Sequence, residues 1–287
     1  MQTNVDGISN GYTEKGQGVP LVFVHGFPLN RECWRLQVDS LSGICRTVAL
    51  DLRGFGSSDA TSGTTTMDRF ADDIAALLGD LDAGPAILVG HSMGGYVTLA
   101  FARRHADLLR GLVLVATRAG QDSPEAAAGR RATAEKVRAE GARVVIDGMA
   151  PKMLAVGNED AAMQAAVRGF MEPASRDGVI GALLGMAERP DSTPMLEQIE
   201  VPTLVVTGET DNLPPDAVDD VLGGVALGEF LVNERTNANQ FEPVVTALSN
   251  GQFVVTWQSD DGVDDASGRG VKARIFNADG TEAVGEF

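Results

Sequence analysis

The stretch Gly90-His91-Ser92-Met93-Gly94 decides the fold of this chain, because of what stands on either side of it. The apolar, β-branched run Ala86–Val89 precedes it and predicts a buried strand, and the segment Tyr96–Arg104 after it predicts a helix. Ser92 would then lie on a sharp turn from strand to helix, with flanking glycines that relieve crowding. Such a turn exposes a hydroxyl, so we predict a nucleophilic serine; the alternative is a serine that caps the helix.

Other short apolar runs predict further strands of the same sheet. They are Leu21–Val24, Thr47–Leu50, Leu112–Ala116 and Thr203–Thr207. Between these runs, apolar residues recur at helical spacing, as in the series Phe70, Ile74, Leu77, Leu78 and Leu81. Strands that alternate with helices predict an α/β fold with a mostly parallel sheet.

Composition along the chain predicts three parts. Residues 1–120 and 199–221 form the α/β core, and residues 121–198, rich in Ala, Met, Arg and Glu, form a helical cap inserted into it. Residues 222–287 form a β-rich segment with strand-like runs at Phe230–Val232, Phe253–Trp257 and Val271–Phe276. The motif at 226–230 returns in similar form at 283–287, which indicates a repeat.

The overall composition limits the kind of partner. The formal net charge of -17 over 287 residues argues against binding to nucleic acid or to an anionic membrane, and favours a small neutral substrate. No long apolar run or signal-peptide pattern occurs, so we expect a cytoplasmic protein. Cys33 and Cys45 are too few for a disulfide framework, and no Cys/His cluster predicts a metal.

The loop His25-Gly26-Phe27-Pro28 follows the strand at Leu21–Val24 and is the second candidate for chemistry. In a sheet of this kind the loop supplies one oxyanion donor, for which the backbone N–H of Phe27 is the candidate. The second donor would be the N–H of Met93, directly after the nucleophile. A purely structural turn is the alternative.

Several stretches together resemble the α/β-hydrolases related to 3-oxoadipate enol-lactonases, arylesterases and serine haloperoxidases. The resemblance covers residues 18–215 and rests on His25–Pro28 with Trp34, Asp51–Ser58, Gly90–Gly95 and Pro202–Asp211. It implies an acyl-enzyme mechanism on esters or lactones, a helical cap over the pocket and no cofactor.

The same resemblance implies roles for individual residues. Asp211 would be the triad acid, although the residue and its neighbour Asn212 equally fit a turn. It implies structural roles for residues at the turns after the strands Leu21–Val24 and Ala86–Val89, namely His25, Gly26, Gly90, His91 and Gly94. Asp51 and Arg53 would also be structural. Candidates for the substrate pocket are Trp34, Met153, Phe170 and Met186, with ordinary packing as the alternative.

Residues 226–287 resemble the β-rich repeats of large bacterial secreted and adhesin-like proteins. The stretches that carry this resemblance are Gly228–Asn233, Gly251–Trp257 and Gly268–Val271. Such repeats stack on neighbours, so this segment is a candidate surface for homo-oligomer formation. The segment also contains an acidic cluster that fits either a solvated turn or a calcium site. The cluster consists of Asp260, Asp261, Asp264 and Asp265.

The sequence does not supply the expected general base. In this fold the histidine follows the acid along the chain, but the three histidines are His25, His91 and His105. His105 lies about 20 Å from Ser92 along one helix, and His91 should turn away from it. Residues that could stand near the nucleophile instead are Glu234, Asn237, Asn239, Gln240 and Glu242, of which only the glutamates can act as bases. The prediction is an impaired ester or lactone hydrolase; the alternatives are a non-catalytic acyl-binding pseudoenzyme and a serine perhydrolase.

Overall fold

The chain contains two compact units, residues 1–224 and residues 225–287. The computed structural model describes residues 1–5, 7–154 and 159–206, together with the backbone of four strands in the second unit.

The first unit is built on one sheet of seven strands. The strands are β1 (Gln2–Val5), β2 (Ile8–Lys15), β3 (Pro20–Val24), β4 (Arg46–Leu50), β5 (Ala86–His91), β6 (Leu109–Val115) and β7 (Thr203–Val206). Their order across the sheet is β1-β2-β4-β3-β5-β6-β7. The pairs β1/β2 and β2/β4 are antiparallel and the remaining pairs are parallel. The predicted mostly parallel α/β sheet is therefore confirmed.

Seven α-helices connect these strands within the described residues. They are α1 (Arg35–Leu41), α2 (Met67–Asp80), α3 (Met93–Arg104), α4 (Pro124–Glu140), α5 (Arg143–Met149), α6 (Ala161–Met171) and α7 (Arg176–Ala187). No helix in the described part of the chain is both long and apolar enough to cross a bilayer. The helices α4 to α7 all lie between β6 and β7, where the sequence predicts the cap.

Local sequence accounts well for α2. The Thr66 side chain caps the helix by accepting a hydrogen bond from the N–H of Arg69 at 3.1 Å. Phe70, Ile74 and Leu77 then fall on one face at helical spacing, and all three are buried in the main core. Cap and apolar stripe agree, so the helix was predictable from sequence.

The antiparallel strands β1 and β2 at the edge of the sheet were not predicted. The middle of β2 is buried at three consecutive positions, Asn10, Gly11 and Tyr12, instead of alternating. Gly11 is one reason, because a Cβ there would lie 2.1 Å from Ser57 Oγ and 2.9 Å from Asp51 Oδ2. The strand is thus covered on both sides, partly by polar groups, and the alternating pattern that identifies a half-buried strand is absent.

Helix α7 docks on the core by direct backbone contact. The N–H and the hydroxyl of Ser175, which caps α7, both donate to the carbonyl oxygen of Gly54 at 2.9 Å. Gly178, one turn into the helix, lies so close that a Cβ on it would be 2.3 Å from Gly54 O. Gly54 has a φ of +84°, which a residue with a Cβ rarely adopts. The cap is therefore fixed to the core where two glycines meet.

The second unit contains a four-stranded antiparallel sheet with the order β11-β10-β9-β8. Its strands are β8 (Gln240–Ala247), β9 (Phe253–Ser259), β10 (Gly270–Phe276) and β11 (Glu282–Val284). The run Phe230–Val232 lies outside the described residues. The resemblance of this segment to adhesin-like repeats stays a prediction.

The contact between Gly54 and Gly178 yields a test of how the cap is held. We expect Gly178→Ala to lower the free energy of unfolding by about 1–3 kcal/mol, because the new methyl group overlaps backbone atoms that cannot move aside. The matched control is Gly129→Ala on α4, where a Cβ meets nothing within 4 Å. That change should be neutral or stabilise by up to about 1 kcal/mol. Urea unfolding of both variants measures the difference, and equal effects would contradict this packing.

Candidate active site

Ser92 lies where β5 ends and α3 begins, at the carboxyl edge of the parallel sheet. Its backbone has φ 50° and ψ -113°, a conformation that a non-glycine residue seldom adopts. Ser92 occupies the N-cap position of α3, but its side chain makes no capping hydrogen bond. The alternative, a serine that caps the helix, is therefore not what the structure shows. Ser92 is partly exposed.

Neighbouring backbone holds this turn in place. The N–H of Ser92 donates to Val115 O, at the end of β6, at 2.9 Å. Its carbonyl oxygen accepts from Gly95 N at 2.9 Å and from Thr117 Oγ1 at 2.8 Å. Sequence reasoning did not find Thr117, and the only signal was its place directly after the predicted β6 strand. Both backbone polar groups of Ser92 are thus satisfied by the fold, independently of its hydroxyl.

The glycines that the motif predicts to be structural lie where backbone passes close to backbone. A Cβ on Gly94 would lie 2.3 Å from Val24 O, and one on Gly90 would lie 2.5 Å from Gly94 O. A Cβ on Gly26 would lie 2.7 Å from His91 Nδ1. A side chain at Gly94 would push the turn away from β3, and one at Gly90 would push β5 away from the start of α3.

The loop after β3 brings a second backbone amide to the same edge of the sheet. Residues 26–29 form a turn in which Leu29 N donates to Gly26 O at 2.9 Å. The side chain of Phe27 is buried and packs edge-on against Phe55, with ring centroids 6.1 Å apart. Among the described residues, none accepts a hydrogen bond from the N–H of Phe27 or of Met93. Both candidate donors therefore remain available for a ligand oxygen.

His25 is fully buried, and both of its ring nitrogens are engaged. The backbone N–H of Leu52 donates to Nε2 at 3.0 Å, so Nε2 carries no proton. Nδ1 then carries the proton and faces Gly26 O at 2.9 Å. Burial lowers the pKa of His25, against smaller opposing effects of the Gly26 carbonyl and the Asp51 charge. The ring ties the loop after β3 to the loop after β4 and offers no free nitrogen.

The other two histidines lie in different surroundings. The His91 ring packs edge-on against Trp34, with centroids 6.3 Å apart, and lies beside Gly26. His105 follows the end of α3, where its Nε2 lies 2.8 Å from Asp72 Oδ1. That contact places His105 at the far end of the helix from Ser92.

The loop after β4 is organised by two carboxylates. The buried Asp51 accepts hydrogen bonds from the N–H of Arg31 and of Ser57, each at 2.8 Å, and pairs with the Arg31 guanidinium. Arg53 makes a two-pronged pair with Asp73 of α2, at 2.8 and 2.5 Å. These contacts are between protein groups, as expected for a structural motif.

The four candidates for the substrate pocket do not lie together. Met153 and Phe170 pack against a small apolar cluster of Leu29, Ile146 and Met171. Trp34 instead contacts Phe23 and His91, and Met186 is buried in the main core. The structure thus groups Met153 and Phe170 with Leu29, while Met186 lies in the core cluster that includes Phe27.

Cys33 belongs to the same apolar cluster, next to Leu29. Burial raises the pKa of its thiol, and the Asp51 charge raises it further. The thiol stays protonated, so Cys33 does not compete with Ser92 as a nucleophile.

The remaining predicted site residues lie outside the described residues. These are Asp211, Glu234, Asn237, Asn239 and the acidic cluster Asp260, Asp261, Asp264 and Asp265. Gln240 and Glu242 belong to β8, of which only the backbone is described. In the described part of the chain no three His, Cys, Asp or Glu side chains are grouped as a metal would require.

With this geometry in view, comparison with known proteins identifies the fold class: the chain belongs to the alpha/beta hydrolase family, whose sequence model matches residues 21–246. Its structure is similar to that of a thermophilic esterase from Thermogutta terrifontis, with 39% sequence identity and a TM-score of 0.74 over 78% of this chain and 86% of that one. It is also similar to the enol-lactonase from Burkholderia xenovorans LB400, with 26% identity and a TM-score of 0.71 over 78% of this chain and 87% of that one.

Sequence relatives also include a non-heme chloroperoxidase, CPO-A1, from Kitasatospora aureofaciens. It is 41% identical over 115 residues, which are 39% of this chain and 42% of that protein. The chain thus matches less than half of the length of this and other first-ranking curated relatives. The relatives and similar structures named here are an esterase, an enol-lactonase and a chloroperoxidase.

The bonding of His25 predicts its protonation state. Since its pKa lies below the ordinary value of 6.5, we expect a neutral ring with the proton on Nδ1 at pH 6.5. The unfolded chain takes up this proton at higher pH than the folded protein does. His25 therefore lowers the free energy of unfolding as the pH falls below 6.5, by at most about 1.4 kcal/mol per pH unit. Imidazole NMR over a pH series checks both points, and an Nε2–H tautomer would contradict them.

Proposed function

We propose that the protein is a hydrolase of small carboxylic esters or lactones that acts through an acyl-enzyme on Ser92. The observation that carries the proposal is the strained turn at Ser92, whose hydroxyl does not cap the helix while its backbone is fully bonded. The amides of Phe27 and Met93, at the same edge of the sheet, are suited to receive the developing oxyanion. The esterase and enol-lactonase among the similar structures support the same substrate class.

The first half of the reaction needs only these groups and an ester with a good leaving group. Ser92 Oγ attacks the carbonyl carbon, and the two amides hold the carbonyl oxygen as negative charge builds on it. The carbon–oxygen bond to the alcohol breaks, the proton lost by the Ser92 hydroxyl passes through solvent to the leaving alcohol oxygen, and the acyl group stays on Ser92. An activated ester needs little help here, because its leaving group is already a weak base.

The second half of the reaction should be slow in this chain. Hydrolysis of the acyl-enzyme requires a base that takes a proton from water. Both nitrogens of His25 are bonded, and His105 binds Asp72. The His91 ring packs edge-on against Trp34 and lies beside Gly26. We infer that the triad is impaired.

Losing the histidine does not remove all rate enhancement. In a comparable serine protease, deletion of the base costs about 10⁶-fold in kcat, while about 10³–10⁴-fold over water remains from the oxyanion hole and binding. Activated esters should therefore still react.

The first functional prediction concerns Ser92 itself. With p-nitrophenyl acetate we expect a burst of about one p-nitrophenol per chain followed by slow turnover, because acylation outruns hydrolysis of the acyl-enzyme. Intact-protein mass spectrometry should find the acetyl group on Ser92. Ser92→Ala should lose the burst and the labelling by a fluorophosphonate, whereas Ser42→Ala, at a partly exposed serine that follows α1, should keep both. Turnover that survives Ser92→Ala would overturn the serine mechanism.

A second prediction separates an impaired triad from one completed by an unrecognised base. In a complete triad the acid orients the histidine, and replacing the acid by its amide costs about 10⁴-fold in kcat. Without a histidine Asp211 has nothing to orient, so Asp211→Asn should change the acylation rate by less than about 3-fold. Burst kinetics with p-nitrophenyl acetate measure this ratio. A loss of several orders of magnitude would mean that the triad is intact in function.

Two alternatives have distinct signatures. The chloroperoxidase among the relatives favours a perhydrolase, in which peroxide takes the acyl group from Ser92 and the resulting peracid oxidises halide. Halide oxidation that requires both peroxide and acetate would support it. The engaged histidines favour an acyl-binding pseudoenzyme, and failure of the fluorophosphonate to label Ser92 would support that reading.

A further inference from the structure

The peptide group that joins Ser92 to Met93 has different surroundings at its two ends. Its carbonyl oxygen accepts two hydrogen bonds, from Gly95 N at 2.9 Å and from the Thr117 hydroxyl at 2.8 Å. Its N–H, an oxyanion donor in the proposed reaction, has no acceptor among the described residues. A trans peptide group is rigid and planar, so the direction of its C=O fixes the direction of its N–H. The bonds at the oxygen therefore decide where the Met93 N–H points.

A strained bend at the end of β6 brings Thr117 to this carbonyl oxygen. Ala116 has a φ of +46°, which a residue with a Cβ rarely adopts. Its N–H donates to Val206 O of β7 at 2.8 Å, while Val115 O accepts from Ser92 N at 2.9 Å. Strain of this kind persists only where the surroundings fix it, and it concentrates at functional sites. Three consecutive residues after β6 thus bind both β7 and the backbone of Ser92.

The first turn of α3 leaves room for the Thr117 side chain at one position only. Thr117 is buried, and a Cβ on Gly95 would lie 2.3 Å from its Oγ1 and 2.5 Å from its Cβ. Glycine is a poor helix former, and the five-residue motif at 90–94 does not include Gly95. The contact with Thr117 supplies a reason for it, because a larger residue would push the hydroxyl away from Ser92 O.

We propose that Thr117 is a positioning residue for acylation at Ser92. Through the Ser92 carbonyl oxygen, its hydroxyl holds the peptide that carries both the nucleophile and the Met93 N–H; the role rests on the proposed function. Negative charge on the reacting oxygen pulls on that N–H in the transition state, and linked hydrogen bonds strengthen one another. The bond from Thr117 therefore acts on the rate of acylation more than on the affinity for substrate.

The test replaces Thr117 in the full chain and follows the burst with p-nitrophenyl acetate at several substrate concentrations. Thr117→Val removes the hydroxyl and keeps the shape. We expect its acylation rate constant to fall about 10-fold, less than the about 10²–10³-fold that loss of a whole oxyanion donor costs. Thr117→Ser keeps the hydroxyl and should restore the rate constant to within about 2-fold of wild type.

Two further readouts separate positioning from folding. The substrate concentration that gives half of the maximal burst rate should change by less than about 2-fold in Thr117→Val, because substrate binding does not use the bond. The amplitude of the burst counts the folded and reactive chains, so chains lost to unfolding do not enter the rate constant.

Thr98 provides a matched control. It is buried on α3, and its hydroxyl donates to Gly95 O at 3.0 Å, the oxygen of a peptide that carries no oxyanion donor. Thr98→Val should lower the Tm about as much as Thr117→Val does, and should leave the acylation rate constant within about 2-fold of wild type. A merely structural role for Thr117 predicts equal losses of Tm and no loss of rate.

If Thr117→Val does not fold, Thr117→Cys takes its place, because a thiol is a weaker donor and should lower the rate constant severalfold. A rate constant that is unchanged in either variant, or equally lowered in Thr98→Val, would refute the role of Thr117 and leave the proposed function standing. A wild-type chain that shows no burst at Ser92 would instead refute the proposed function, and this role with it.

Discussion

The structure depends on how closely the backbone at the Ser92 turn approaches β3 and β6. A non-glycine residue at φ 50° costs on the order of 1–3 kcal/mol, and it persists only where the surroundings fix it. Here the surroundings are the bond from Ser92 N to Val115 O and the contact of Gly94 with Val24 O. Helix α3, buried along nearly its whole length, then anchors the far side of the turn. The strain is thus held by the core of the fold.

The same packing decides what the polar groups near the turn can do. His25 lies beside the Phe27 amide, yet its nitrogens are used to join two loops. Its ring therefore holds the loop that carries the Phe27 amide against the loop after β4.

The cap is attached to the core by two different kinds of contact. At one end glycine meets glycine, with Ser175 bonded to Gly54 O. At the other end three arginines, from the links that lead into and out of the cap and from α4, pair with the buried carboxylate of Asp122. Removing Asp122 would leave the buried Arg189 guanidinium without its counter-charge, so the second attachment depends mainly on that carboxylate. Together they fix the cap helices on the core.

The sequence by itself determined the parts of this protein whose structure depends on short stretches of the chain. The strand–turn–helix around Ser92, the apolar stripe of helix α2 and the runs that form the parallel strands follow from short apolar stretches and glycine positions. The edge strand β2, the support of Ser92 by Thr117 and the grouping of three arginines on Asp122 depended on tertiary structure alone. The reason is physical: polar partners distant in sequence meet only after the sheet has formed, and no period or motif in the chain marks which donor will face which acceptor.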